Sequence, residues 1–279
     1  MTNQQTTEIQ RARTELAACF RWTAKMDMHE SIANHFSVAV SDDGHQFLCN
    51  PQGRHFSTIK ASELLLLDAN NPSTMNQANA PDPTTWAIHG ALHRNLPDAR
   101  CIMHLHTRYA TALACLKDKT VYPIDQNTMR FYQRVAIDTG FDGMGLGNEA
   151  ERLTTCMGDK RILLMGNHGV LIIANSVAQC FDDMYYFERA CRTLLDCYAT
   201  GQPLDPVSHE VAEKTAQQWQ NYGFDFGQQH LDELMAILDT EDSSYRLWHV
   251  TKLYLERPWV SYFCHWDTFS AVSCFPAYS

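Results

Sequence analysis

The chain has 279 residues, a formal net charge of −10, and a composition that is 45% hydrophobic and 19% charged. That length is enough to bury a large core as one α/β domain, or as a domain with an appendage. No basic run interleaves with aromatics and no apolar stretch reaches the roughly 20 residues that span a bilayer, which argues against nucleic acid and membrane as partners.

The ten cysteines are scattered singly, with no Cys-x-x-Cys pair, and residues 1–8 are polar with no apolar leader. Reduced, buried thiols in a cytoplasmic protein are the expectation.

Residues 6–28 place Ile9, Ala12, Leu16, Cys19, Phe20 and Thr23 at helical spacing, which predicts an amphipathic helix. Residues 32–40 read as a loop running into a strand, and 46–50 as its partner across the turn Ser41-Asp-Asp-Gly44. Pro51-Gln-Gly53 breaks that strand, and 59–68 resume with a short helix and a strand. Residues 70–85, rich in Asn, Pro, Ser, Thr and Ala, form a loop long enough to suspect a functional role. Residues 86–96 fit a helix with Trp86, His89, Leu92 and His93 on adjoining faces, and an apolar strand follows at once. Further on, 109–116 read as helix, 121–138 as strand and loop, and 140–147, with four glycines, as a flexible or sharply turned loop. A helix at 149–156 precedes strands at 161–165 and 169–173. A long helix at 176–199 is stopped by Gly201-Gln-Pro203, and 207–238 form a second helical stretch.

This alternation predicts an α/β sandwich around a mixed sheet, with no linker dividing it. Residues 1–246 read as that domain. Residues 247–279, dense in Trp, Tyr, Phe and Cys with little periodicity, read as a tail of unknown role.

Chemistry enters at Arg100-Cys-Ile-Met-His-Leu-His-Thr107. In a strand, residues two apart share a face, so His104 and His106 aim at one point. His168 sits in Leu163-Leu-Met-Gly-Asn-His-Gly-Val-Leu-Ile172, at a glycine-flanked turn between two apolar runs. Three neutral imidazoles with an open fourth position suit a catalytic divalent metal, foremost zinc.

The elements Asn34-His-Phe-Ser37, Asn50-Pro-Gln-Gly53, His104-Leu-His-Thr107 and Asn167-His-Gly-Val170 follow one another in order. In that order they resemble the class II aldolase/adducin family, over about residues 8–246 and closest to its bacterial adducin-like branch. The resemblance implies a central mixed β-sheet flanked by helices, a homotetramer with active sites at subunit boundaries, and a metal held by His104, His106 and His168. Zn2+ is the first expectation for that metal, with Fe2+, Mn2+ or Co2+ as alternatives. It implies a lyase of carbohydrate metabolism acting on a small hydroxy-carbonyl or sugar-phosphate substrate, with aldolase-type carbon–carbon cleavage through an enediolate. The substrate-binding positions carry over to Asn34, Gly53 and Thr84.

The departures from the family pattern concern proton transfer. Thr85 stands where the aldolases carry their acid/base glutamate, and threonine is no general base near neutral pH without help. Gln52, Pro83 and Thr84 replace smaller hydroxyl-bearing positions of the family's phosphate site, and a looser alignment places Gln126 where those enzymes have a catalytic tyrosine. His89, Tyr132 and Glu149 are the candidates to supply what is missing. Each has a bland reading as well: a core or ligand-orienting histidine, a core aromatic, and a glutamate favoured at a helix start. None of the other histidines, His35 among them, is assigned to the metal. Two further functions remain open, an iron-dependent oxygenase on the same site and an adducin-like binding module.

Overall fold

The computed structural model of the chain describes residues 3–140, 143, 149–223 and 225–246. Most of the glycine-rich loop and the whole of the predicted tail 247–279 lie outside the described residues.

The first helix, α1 (Asn3–Lys25), runs slightly beyond the predicted amphipathic segment and buries Leu16, Cys19 and Phe20 completely. β1 (His35–Ala39) and β2 (Gln46–Cys49) form the predicted antiparallel pair, and β3 (Leu65–Asp68) pairs with β2. Phe20 stacks on Phe36 of β1 at 4.4 Å and meets Phe56 edge-on at 4.6 Å. Each such ring, fully buried, contributes on the order of 1.5–3 kcal/mol. The cluster pins α1 to the sheet beside the segment that carries the site.

A π-helical segment at Thr85–His89 leads into α2 (Gly90–Asn95), and β4 (Cys101–Leu105) follows, then α3 (Arg108–Ala114). Residues 121–138, expected as strand and loop, contain a short helix, α4 (Gln126–Arg130), with β5 (Val135–Asp138) only at the end. The helix starts there because the Asp125 carboxylate accepts from the Thr128 N–H at 2.8 Å while the Thr128 hydroxyl accepts from the Asp125 N–H at 2.9 Å. α5 (Glu149–Met157), β6 (Ile162–Met165), β7 (Gly169–Ala174) and α6 (Val177–Ala199) follow the prediction closely. The single stretch expected over 207–238 is two helices, α7 (His209–Gln220) and α8 (Phe226–Glu241); the non-helical break between them holds Gly223.

The sheet order is β3-β2-β1-β4-β7-β6-β5, antiparallel throughout except for the parallel pair β5–β6. It is the mixed, helix-flanked α/β sheet that the sequence predicts. Strand alternation divides its two faces. Met103, Leu105, Val170 and Ile172 join the core shared with α1, α3, α6 and α8, whereas Ile102, Leu171 and Ile173 pack with Ile88, Leu92, Leu153 and Met157 on the other side. No helix among the described residues is long and apolar enough to cross a membrane.

Candidate functional site

His104 occupies the same strand face as Ile102, near the end of β4, and His106 follows one residue beyond that strand. His168 lies in the turn between β6 and β7. Its predecessor Asn167 takes the left-handed conformation (φ +59°), which asparagine tolerates better than most residues. A Cβ on the next residue, Gly169, would stand 2.5 Å from the Leu105 carbonyl oxygen and 2.7 Å from the His106 ring, so only glycine lets the turn approach this closely. The chain just after His106 is held by the buried Glu188 carboxylate, which accepts from the Thr107 hydroxyl (2.5 Å) and from the Tyr109 and Ala110 N–H groups (both 2.8 Å) at the start of α3.

The three rings form a near-equilateral triangle, with centroids 4.9 Å apart for His104–His106 and His104–His168, and 4.7 Å for His106–His168. One nitrogen from each lies within 4.8 Å of the other two. The donor set fits a cation. His104 Nδ1 donates to the Val170 carbonyl oxygen at 3.1 Å, and His106 Nδ1 donates to a Glu30 carboxylate oxygen at 2.7 Å. With both Nδ1 atoms so engaged, the two Nε2 atoms face each other at 3.0 Å, where each can give a lone pair to a cation lying between the rings. Burial, with the neighbouring histidines adding to it, holds His104 well below the usual imidazole range. Burial, then His106, brings His168 down to about 4, so both stay neutral and ligand-competent at pH 7.

A cavity of about 710 Å³ opens over this triangle. Asn34, Gly53 and Thr84, the carried-over substrate-binding positions, all line it, as does Thr85. Asn34 is held at φ +75°, and neither its side-chain oxygen nor its nitrogen has a hydrogen-bond partner among the described residues. The buried Thr85 hydroxyl is likewise unpartnered.

The three candidates for proton transfer are dispersed. His89 is fully buried, bonded to His35 and Ser37, and is not among the cavity-lining residues. Tyr132 bonds to His209 on α7 at 3.0 Å, and Glu149 pairs with Arg152; neither lines the cavity, nor does Gln126. Two residues that sequence reasoning passed over are present instead. Glu30 orients His106. His35 lines the cavity with its ring 5.0 Å from that of His104, directly across the β1–β4 register. A signal for His35 exists in the sequence, since the dipeptide Asn34-His35 repeats Asn167-His168, with a left-handed asparagine in both cases.

The Class II Aldolase and Adducin N-terminal domain family matches residues 14–195. The chain is 30% identical to a candidate aldolase class 2 protein of Caulobacter vibrioides over 203 residues, covering 72% of this chain and 78% of that one. It is also 30% identical to an adducin-related protein of Schizosaccharomyces pombe over 255 residues, covering 84% and 76%. A Streptomyces roseochromogenus relative named 4-hydroxy-3-prenylphenylpyruvate oxygenase/4-hydroxy-3-prenylbenzoate synthase is 24% identical over 190 residues, 68% of each chain. Among solved structures, an aldolase II superfamily protein of Pseudomonas syringae superposes with a TM-score of 0.78 at 28% identity, covering 88% of this chain and 98% of that one. The L-fuculose 1-phosphate aldolase of Glaciozyma antarctica, at 21% identity and TM-score 0.73 over 88% and 96%, shares the fold.

Proposed function

Because the chain belongs to the class II aldolase and adducin family, we propose that it is a metal-dependent lyase making or breaking a carbon–carbon bond beside the carbonyl of a small hydroxylated substrate. The observation that carries this reading is the convergence of one ring nitrogen each from His104, His106 and His168 within 4.8 Å of one another, at the lining of the cavity. A divalent ion held by His104, His106 and His168, Zn2+ first or else Fe2+, Mn2+ or Co2+, supplies Lewis-acid stabilisation of developing oxyanion charge worth several kcal/mol.

The chain's own groups do the rest. Val170 and Glu30 fix the tautomers of His104 and His106 through their Nδ1 protons. The unpartnered Asn34 amide and Thr85 hydroxyl offer donors and acceptors to a polar substrate, and Gly53 leaves room beside them with nothing within 4 Å of where a Cβ would stand. Ile88 and Leu171 give the cavity an apolar wall that thins the water around the reacting atoms. With threonine at 85, a carboxylate base is absent from that position, and the substrate is as compatible with a non-phosphorylated hydroxy-keto acid as with a sugar phosphate.

The test loads the chelator-treated protein with Zn2+, Mn2+, Co2+ or Fe2+ and measures aldehyde release from a panel of ketose phosphates and hydroxy-keto acids. Metal-dependent release, abolished by chelator, is the expected result. A second reading is favoured by the oxygenase-named relative together with Thr85, namely iron-dependent oxygenation. Oxygen uptake by the Fe2+ form with aromatic 2-keto acids, and no aldehyde from any form, replaces the lyase reading with that one.

Glu30→Gln keeps a hydrogen-bond acceptor but removes the charge behind His106. Metal affinity, measured by competition with a chromophoric chelator, is expected to fall roughly 10–100-fold. Unchanged affinity removes Glu30 from the site.

A further inference from the structure

Behind the cavity wall runs a chain of buried hydrogen bonds whose direction is set at one end. His93 Nδ1 lies 2.5 Å from the Ala99 carbonyl oxygen, which only accepts, so that nitrogen carries the proton. His93 is buried, and desolvation takes it down to about 3, so the ring is neutral and its Nε2 is a bare acceptor. The Ser37 hydroxyl, 2.8 Å away, therefore donates its single proton to His93. That leaves the Ser37 oxygen to accept, and His89 Nδ1, at 2.6 Å, must be the donor. His89, fully buried and neutral, then offers only a lone pair at Nε2, so His35 Nδ1 donates to it at 2.8 Å. Each link follows from the one before.

The last atom of the chain is His35 Nε2. The Thr84 hydroxyl oxygen, 3.4 Å away, already donates to an Asp82 carboxylate oxygen at 2.6 Å and has no second proton to give. His35 is 8% exposed and lines the cavity, where the Asn34 amide and the Thr85 hydroxyl have no partner among the described residues.

We infer that the Ala99–His93–Ser37–His89 chain locks His35 as an acceptor-only nitrogen in the cavity, where it selects substrates that present a hydroxyl group. The inference rests on the proposed reading in taking this cavity as the substrate site. It names what that substrate must carry, a donor hydroxyl within reach of both His35 and the three-histidine triangle, whose nearest ring centroid is 5.0 Å from that of His35. A carboxyl, keto or ether oxygen at the same place meets a lone pair and is disfavoured. The sheet makes this arrangement possible, because His35 and Ser37 of β1 share the face that the Thr85–His89 segment and α2 cover.

The experiment has two arms, neither of which measures turnover. In 15N-labelled protein, long-range proton–nitrogen correlation of the imidazoles is expected to show His35, His89 and His93 all protonated at Nδ1 and bare at Nε2. An Nε2–H form of His35 overturns the inference. In the second arm, glycolate and its methyl ether, methoxyacetate, are titrated into the Zn2+-loaded protein. Glycolate is expected to bind about five- to tenfold tighter, the size of one net hydrogen bond, and to shift the His35 Nε2 resonance. His35→Phe is expected to erase the preference. Ser37→Ala is expected to weaken it and Ser37→Thr, which keeps the hydroxyl, to restore it. No preference, or no glycolate binding, overturns the proposal. Failure of the aldehyde-release assay alongside a glycolate preference sinks the lyase reading alone.

Discussion

Replacing His168 by alanine is expected to abolish tight divalent-metal binding while leaving the fold intact. His168 is the only member of the triangle drawn from the β6–β7 turn, and its loss leaves two ligands where a catalytic site of this type uses three. The affinity loss should exceed the roughly 10–100-fold expected of Glu30→Gln, because a donor and not merely its orienting partner is gone. Any metal-dependent turnover should fall by ~10³-fold or more, since several kcal/mol of charge stabilisation depart with the ion and each 1.4 kcal/mol is a factor of ten. Stability should move the other way or not at all. The ring sits where burial and His106 both oppose its charged form, and no core cluster depends on it. Two measurements check this together. Stoichiometric Zn2+ should raise the melting temperature of the wild-type protein through preferential binding to the folded state, but should leave His168→Ala unmoved. The metal-free proteins should melt within a few degrees of each other. A variant that still binds one equivalent of Zn2+ tightly removes His168 from the site, and with it the lyase reading.

Much of the architecture is legible in the sequence because it follows from local periodicity. The strand period of two puts His104 beside the point His106 approaches, and Asn-His-Gly announces a turn with a left-handed residue. What escapes is of two kinds. α4 is too short to show a helical stripe, and only its Asp125–Thr128 capping pair betrays it. The break between α7 and α8 rests on a few residues around Gly223 inside a stretch that otherwise reads as one helix.

The site residues missed are long-range in origin. His35 faces His104 only because β1 lies antiparallel to β4 in one particular register, and a one-residue slip would turn it into the opposite core. Glu30 reaches His106 from a loop 76 residues earlier in the chain. Neither relation leaves a trace in the spacing of nearby residues. The three expected proton-transfer candidates are not among the cavity-lining residues: His89 is buried and bonded to His35, Tyr132 lies against α7, and Glu149 pairs with Arg152.

The same buried histidines predict that the metal-free protein unfolds in mild acid. Burial brings His93 down to about 3 and His35 to about 4, with Arg100 adding to the first and Asp82 opposing the second, and it holds His89 well below the usual imidazole range. In the unfolded chain each ring titrates near its ordinary 6.5. Between these values the unfolded state binds protons that the folded state refuses, so stability falls as pH falls through 6.5 and continues to fall until the folded rings themselves protonate. Each ring costs about 1.4 kcal/mol per pH unit across that window. By pH 4.5, His93 and His35 alone remove roughly 5 kcal/mol, which is comparable with the whole stability of a typical domain. Carboxylates held low by ion pairs, such as Asp138 beside Arg152, act in a different window, because their contribution is lost only as pH falls below about 4. Urea unfolding of the chelator-treated protein from pH 7 to 4.5 therefore separates the two. The midpoint is expected to drop steeply, with a slope equivalent to at least two protons taken up on unfolding. A flat profile over that range shows the rings charged inside the fold, and then the directional chain from Ala99 to His35 cannot hold either, since it requires every imidazole in it to be neutral.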